Sequence, residues 1–221
     1  MSEHMDFEQF YDFVQGTFSH MTPQQEERFR AMDGLYRDWN SKINVISRKD
    51  IDNLYEHHVL HSLAIARYMA LKGRPEGPGK GASVLDLGTG GGFPGIPLAV
   101  LWPETSFTLC DSIGKKVLVA GEVARGLSLE NVRTVNARVE SLKEKYDWIV
   151  SRAVAPLPEL YGWVKGMYSQ GLICLKGGEV NQEIEALMSR FKLKKGAVKT
   201  WDLSSWLTGE WFKGKFVIEI R

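Results

Sequence analysis

Cysteine is nearly absent from this chain, with only Cys110 and Cys174 among 221 residues. The two lie far apart inside apolar segments and show no Cys-x-x-Cys spacing. A disulfide framework and a cysteine metal site are therefore excluded as organising features, and buried reduced thiols are expected. No stretch of about 18 uncharged apolar residues occurs, so nothing qualifies as a membrane-spanning helix. Met1 through Asp6 lack a positive segment leading into an apolar run, and a cytoplasmic location with no membrane partner is expected. Internal repeats and low-complexity tracts are missing too. An excess of either charge is also lacking, with 28 Lys and Arg against 27 Asp and Glu. What remains, 43% apolar and 25% charged residues, is the composition of one folded core with a small accessory piece.

The balanced charge is unevenly placed. Residues 1–33 carry seven acids against Arg28 and Arg30, whereas residues 190–221 carry eight basic side chains against Asp202, Glu210 and Glu219. A basic C-terminal third is able to face phosphates, although on charge alone a solvated face is the favoured reading.

Periodicity divides the chain. Phe7, Phe10, Tyr11, Val14 and Phe18 fall on one helical stripe, and Phe29, Met32, Tyr36, Trp39 and Ile43 continue it on a second helix. Thr22 and Pro23 supply that second helix with an N-cap and a first-turn proline, followed by the early acid Glu26. A third helix is expected over 51–71, burying Leu54, Val59, Leu63 and Ala66. The glycines and prolines of 73–82 then break any regular element. From residue 83 onward, strand-like runs at 83–87, 106–111, 132–136, 148–151 and 172–176 alternate with helical segments near 95–101, 115–126, 156–167 and 180–191. Such alternation predicts an α/β fold, a mostly parallel doubly wound sheet covered on both faces. The runs 198–203 and 215–220 have no helix between them and are expected to close the sheet as an antiparallel hairpin. The expected organisation is a helical extension (1–72), a linker (73–82) and a ligand-binding domain (83–221).

The glycine-rich segment Asp86-Leu87-Gly88-Thr89-Gly90-Gly91-Gly92-Phe93-Pro94-Gly95 joins the first strand to the next helix. Ligands of such sheets bind at the carboxyl ends of strands, where glycines let the backbone approach closely. Two frames compete. Gly90, Gly92 and Gly95 satisfy the dinucleotide fingerprint of an NAD-dependent oxidoreductase, but that frame forces Gly88 and Thr89 to end a buried strand behind Asp86. The other frame ends the strand at Asp86 and puts Gly88, Gly90 and Gly92 in the turn. A carboxylate at that tip suits the ammonium of S-adenosylmethionine and would repel a diphosphate. Asp111, ending the second strand, is placed to accept ribose hydroxyls, or else caps the helix opening at Gly114. After the third strand, Val139 is placed against an adenine face and Glu140 near its exocyclic amine, while an Arg138–Glu140 surface pair is the alternative.

The chain resembles the bacterial small-subunit ribosomal RNA guanine-N7 methyltransferases, the RsmG or GidB family. The resemblance is carried by Trp39-Asn40 and Asn44, His58 with Ser62, the Asp86–Gly90 segment running on through Phe93-Pro94-Gly95-Ile96-Pro97, and Asp111-Ser112 before Gly114-Lys115-Lys116. It continues in Arg138-Val139-Glu140, Ser151-Arg152-Ala153 and Leu175-Lys176-Gly177. Two positions depart from the family pattern: Gly91 stands where proline is usual, and His61 where aspartate is usual.

The resemblance implies a class I, Rossmann-like methyltransferase. It further implies S-adenosylmethionine as cofactor, with Gly88, Phe93, Val139, Glu140 and Arg152 lining its site. The implied substrate is a guanine of small-subunit ribosomal RNA, free or in an immature small subunit. A small-molecule methyltransferase is the other reading on the same fold. Guanine N7 needs no deprotonation before it attacks, so no catalytic base is assigned. His58, Arg152 and Lys176 are the candidates for RNA contact. His57 and His61 share a helical face at a spacing zinc can use, but without the flanking glutamate of a His-Glu-x-x-His site no metal is expected.

Overall fold

The computed structural model describes residues 4–18, 21–152 and 154–221. Ala153, part of the Ser151-Arg152-Ala153 trio, lies outside them. Helices α1 (Phe7–Thr17) and α2 (Pro23–Lys42) begin on capping boxes, Asp6 with Gln9 and Thr22 with Gln25. The box partner in α2 is thus Gln25 and not the neighbouring acid. The same Gln25 amide donates to the carbonyls of Val100 and Leu101, which ties α2 to the sheet's first covering helix.

The expected third helix forms with a change of pitch. After a short 3₁₀ turn (Ile51–Asn53), Leu54–Leu60 is a π-helical stretch, and only His61–Leu71 (α3) is α-helical. Single-turn π segments cluster at functional sites, and this one carries His57 and His58.

Seven strands follow: β1 (Ser83–Leu87), β2 (Ser106–Asp111), β3 (Val132–Asn136), β4 (Tyr146–Arg152), β5 (Tyr168–Gly177), β6 (Val198–Asp202) and β7 (Lys215–Ile220). The covering helices are α4 (Gly95–Leu101), α5 (Gly114–Gly126), α6 (Leu157–Val164) and α7 (Val180–Phe191). The strand order is β3-β2-β1-β4-β5-β7-β6. β1 to β5 run parallel, while β7 lies antiparallel between β5 and β6. The doubly wound sheet and the closing hairpin are therefore as expected. α6 ends three residues early, because the chain turns at Gly166 and β5 extends back to Tyr168 to pair with Tyr146.

Strand side chains alternate between two cores. Val84, Phe107, Leu109, Trp148, Val150, Ile173 and Leu175 pack with α4, α5 and the N-terminal helices, including Phe10, Phe29, Tyr36 and Leu63. Leu85, Leu87, Cys110, Ile149, Leu172 and Cys174 pack on the other face with Leu157, Leu160 and Leu187. Both cysteines are free and buried. No helix among the described residues is long and apolar enough to cross a membrane.

Candidate functional site

The carboxyl ends of β1, β2, β3 and β4 open into a cleft of about 570 Å³. Its walls are the β1–α4 loop, the ends of β2 and β3, and Arg152, Val154 and Trp163. Gly88, Gly90 and Gly92 all have positive φ, at 67°, 56° and 108°, as the turn frame requires. Gly88 and Gly90 line the cleft. Gly92 faces away, since a Cβ there would lie 2.3 Å from Ile96 Cδ1 and 3.1 Å from the Tyr36 hydroxyl.

Asp86 is displaced from its expected position at the cleft. It shares strand parity with Val84, so its carboxylate points into the helix-covered core and is fully buried. There Oδ2 accepts from Thr89 Oγ1 at 2.6 Å and from the Gly95 amide at 2.8 Å. Oδ1 has no partner. Burial pushes the Asp86 carboxyl up to about 7, against the lowering effect of those two hydrogen bonds and of Arg152. Asp86 thus pins both ends of the loop to the strand.

Asp111 does face the cleft. Its Oδ2 accepts from the Gly90 amide at 3.0 Å and Oδ1 from the Ile113 amide at 2.9 Å. A carboxylate oxygen has two lone pairs, so each retains capacity for a ligand hydroxyl. The carboxylate therefore shapes the turn before α5 and remains available on the cleft side. Val139 lines the cleft with Arg138 and Glu140. These last two are exposed and form no ion pair with each other.

Arg152 shares parity with Trp148 and Val150, which directs it toward the N-terminal helices. Its guanidinium lies over the Phe93 ring at 4.9 Å, and its nitrogens reach His58 Nδ1 at 3.2 Å and the His57 carbonyl at 3.4 Å. Burial pushes Arg152 down to about 10, with Asp86 opposing the shift. Arginine has only donors, so His58 Nδ1 accepts and His58 is the neutral Nε2–H tautomer, donating to Asp50 Oδ2 at 2.8 Å. Burial first, then Arg152, pushes the His58 imidazole down to about 4. His57 Nδ1 reaches the other Asp50 oxygen at 2.6 Å.

His58 thus lies beneath the cleft, in contact with Phe93 at 5.3 Å between ring centres, and not on an open RNA-facing surface. His57 and His61 do share a face, but that face packs on Trp211 at 4.1 and 5.1 Å. Among the described residues no group of three or more His, Cys, Asp or Glu side chains is placed to hold a metal ion.

Lys176 is withdrawn from its expected RNA-facing position. It shares parity with Leu172 and Cys174, and its side chain is only 10% exposed, paired with Glu183 at 2.9 Å. The basic C-terminal residues are also divided. Lys199 near the start of β6 sits at the end of the sheet opposite the cleft, whereas Lys215 at the start of β7 pairs with Gly177 on the cleft side.

Three contributors were not anticipated from the sequence. Asp50 anchors both histidines. Asn40 holds the 43–46 turn by accepting from the Val45 and Ile46 amides, and so presents Val45 to the cleft. Tyr36 donates to the Gly91 carbonyl at 2.9 Å and stacks on Phe93 at 4.8 Å. The available signal was a polar atom on an apolar helical stripe for Tyr36, and for the turn Asn40 in the last turn of α2.

A family model described as GidB, rRNA small subunit methyltransferase G, matches residues 25–205. The chain belongs to this family. The Porphyromonas gingivalis protein named Ribosomal RNA small subunit methyltransferase G is 50% identical over 216 residues, covering 94% of this chain and 91% of its own. A protein of the same name from Cytophaga hutchinsonii is 43% identical over 215 residues, covering 94% and 97%. Among solved structures, magnesium protoporphyrin IX methyltransferase from Synechocystis PCC 6803 with bound SAM aligns at a TM-score of 0.59 and 13% identity, over 92% of this chain and 99% of that one. Human methyltransferase 10 domain containing protein aligns at 0.56 and 12%, over 73% and 81%. The fold is thus that of class I methyltransferases.

As a GidB member the chain is an S-adenosylmethionine-dependent methyltransferase, which removes the dinucleotide frame. The cleft fits that cofactor. Asp111 and Glu140 line its walls as acceptors for hydroxyls and amines, and Arg152 lines it as a cation suited to a carboxylate.

Proposed function

We propose that this chain methylates N7 of a guanine in small-subunit ribosomal RNA, free or within an immature small subunit in the cytoplasm. The observation that supports this most directly is the cleft itself, a left-handed glycine turn facing Asp111 across the ends of β1 and β2. In this reading Gly88 and Gly90 cradle the amino-acid end of the cofactor, and Arg152 neutralises its carboxylate at the cleft floor. Asp111 accepts the ribose hydroxyls, and Val139 packs on the adenine. Glu140 and Arg138 close the adenine edge. Asp86, Gly92 and His58 act one layer down, holding the loop, Phe93 and Arg152 in place. Residues 1–72 form an extension built onto the 83–221 domain across 73–82, because its buried side chains belong to the same core as β1 and β4.

S-adenosylmethionine supplies an electrophilic methyl on a sulfonium. The in-plane lone pair of guanine N7 attacks without losing a proton, so the protein's contribution is alignment of the base edge with that methyl. The target base must be unpaired or extruded to reach a cleft at the strand ends.

Thermal shift with S-adenosylmethionine, S-adenosylhomocysteine and NAD tests the cofactor: stabilisation by the first two is expected, and stabilisation by NAD alone would overturn the reading. Nucleoside mass spectrometry of small-subunit RNA incubated with enzyme and S-adenosylmethionine tests the product. New 7-methylguanosine is expected. Methylation at another atom or in a small molecule only would refute the substrate assignment.

A further inference from the structure

Residues 154–156, ahead of α6, lie beside the cleft and are held by a clamp whose side chains do not line it. Val154 lines the cleft, stays 38% exposed, and lies so close over Gly88 that a Cβ there would fall 2.4 Å from Val154 Cγ2. Two residues later Pro156 ends the segment, and α6 begins. The backbone groups on either side of this proline are both held by side chains of the far layer. Lys176 Nζ donates to the Ala155 carbonyl at 3.0 Å, and the Leu157 amide donates to Glu183 Oε2 at 2.7 Å. Lys176 and Glu183 are bonded to each other at 2.9 Å, with side chains 10% and 28% exposed.

We infer that Lys176 and Glu183 are positioning residues for methyl transfer: together they fix the Val154–Leu157 segment at the height over Gly88 at which an incoming base meets the methyl group. Three observations carry this. Lys176 from β5 and Glu183 from α7 converge on one short segment, although neither lines the cleft. The two hydrogen bonds flank Pro156, at the carbonyl before it and the first amide after it. Finally, the segment they hold places an exposed apolar side chain directly against the first glycine of the loop. Among the described residues, Lys176 Nζ has no hydrogen-bond or ion-pair partner other than the Ala155 carbonyl and Glu183.

The inference rests on the methyl-transfer reading of the cleft, and its test separates the two. Lys176→Met and Glu183→Met each remove one arm of the clamp. Lys176→Arg and Glu183→Gln keep a donor and an acceptor, respectively. Each Met variant is expected to lower kcat by about tenfold or more, as a sub-ångström displacement of aligned reactants does. KM for RNA and the S-adenosylhomocysteine Kd measured by calorimetry should stay within about threefold. The double variant should be no slower than the slower single one, because both act through one segment. Glu183→Gln should recover most of the rate. Hydrogen exchange at Leu157 should quicken in both Met variants, a readout that needs no turnover.

A phosphate-contacting Lys176 gives a different pattern, with KM raised, the salt dependence shallower by about one unit, and Glu183→Met neutral or tighter for RNA. That pattern, or unchanged exchange at Leu157, would overturn the inference. A wild-type protein that binds no S-adenosylhomocysteine would instead sink the reading of the cleft, while the exchange measurement still decides the clamp.

Discussion

Two glycines of the cofactor loop, replaced by alanine, should fail in opposite ways. At Gly95, which opens α4, the new Cβ would lie 2.3 Å from Leu109 Cδ2 and 2.7 Å from Asp86 Oδ2. Both neighbours are fully buried, and carbon contacts relax only near 3.5–4.0 Å, so a side chain in a packed strand must shift by more than an ångström. Overpacking of this kind costs about 1–3 kcal/mol. Displacing Asp86 also weakens its 2.8 Å bond from the Gly95 amide, worth roughly 1 kcal/mol more. At Gly90 a Cβ meets nothing within 4 Å, so only the left-handed backbone at φ 56° is strained, at about 1–2 kcal/mol. That open space is the cleft, however, and the methyl would stand where the cofactor's amino-acid end is proposed to sit. Gly95→Ala should therefore lose about 2–4 kcal/mol in urea unfolding and, where folded, bind S-adenosylhomocysteine within about fivefold of wild type. Gly90→Ala should lose only the backbone strain of about 1–2 kcal/mol and bind at least about tenfold more weakly by calorimetry. Equal binding by Gly90→Ala and wild type would refute the placement of the cofactor against this turn. A stability change under about 0.5 kcal/mol in Gly95→Ala would refute the close-packed role given to Asp86 and Leu109.

Titration of the buried layer should be visible in stability. Asp86 is raised from 3.8 to about 7, so between those values the folded chain keeps a proton the unfolded chain releases; stability relative to Asp86→Asn should fall as pH rises through that window, and a pH-independent difference would count against it. His58 is lowered from 6.5 to about 4, so its contribution runs the other way: relative to His58→Gln, wild type should lose stability as pH drops from about 6.5 to about 4. Asp111→Ala removes a carboxylate that orients the Gly90 amide and is proposed to hold the ribose; S-adenosylhomocysteine affinity should fall about tenfold to a hundredfold, as loss of charge-assisted bonds does, and an unchanged Kd would exclude it from the site. Tyr36→Phe leaves the buried Gly91 carbonyl without its donor and should cost about 1–3 kcal/mol in unfolding free energy, with a null result showing that water replaces the hydroxyl.

How far the sequence reached is decided by strand parity. The strands, their approximate ends and the glycine turn were legible because apolar runs alternate with helical periods and because Gly88, Gly90 and Gly92 are the positions that adopt positive φ. Asp111 and Val139 followed from their places at or after strand ends. Asp86 and Lys176 were misplaced for one common reason: each was located along its strand and not assigned to a face. Period two puts Asp86 with Val84 and Lys176 with Leu172 and Cys174, and the neighbours of those residues, α4 in one case and α7 in the other, then dictate burial. Arg152 reaches the cleft floor through the same parity, on the face shared with Trp148 and Val150. Arg152 finds its partner His58 in an element distant in the chain, whereas Lys176 pairs with Glu183 of the very next helix and His58 with Asp50 just before the π-helical stretch. A buried charge near a ligand cleft thus carries structural information through the backbone it holds. For Asp86 that backbone is the glycine turn, and for Lys176 it is the segment crossing above it, so one buried acid and one buried base, neither lining the cleft, act on two of its walls.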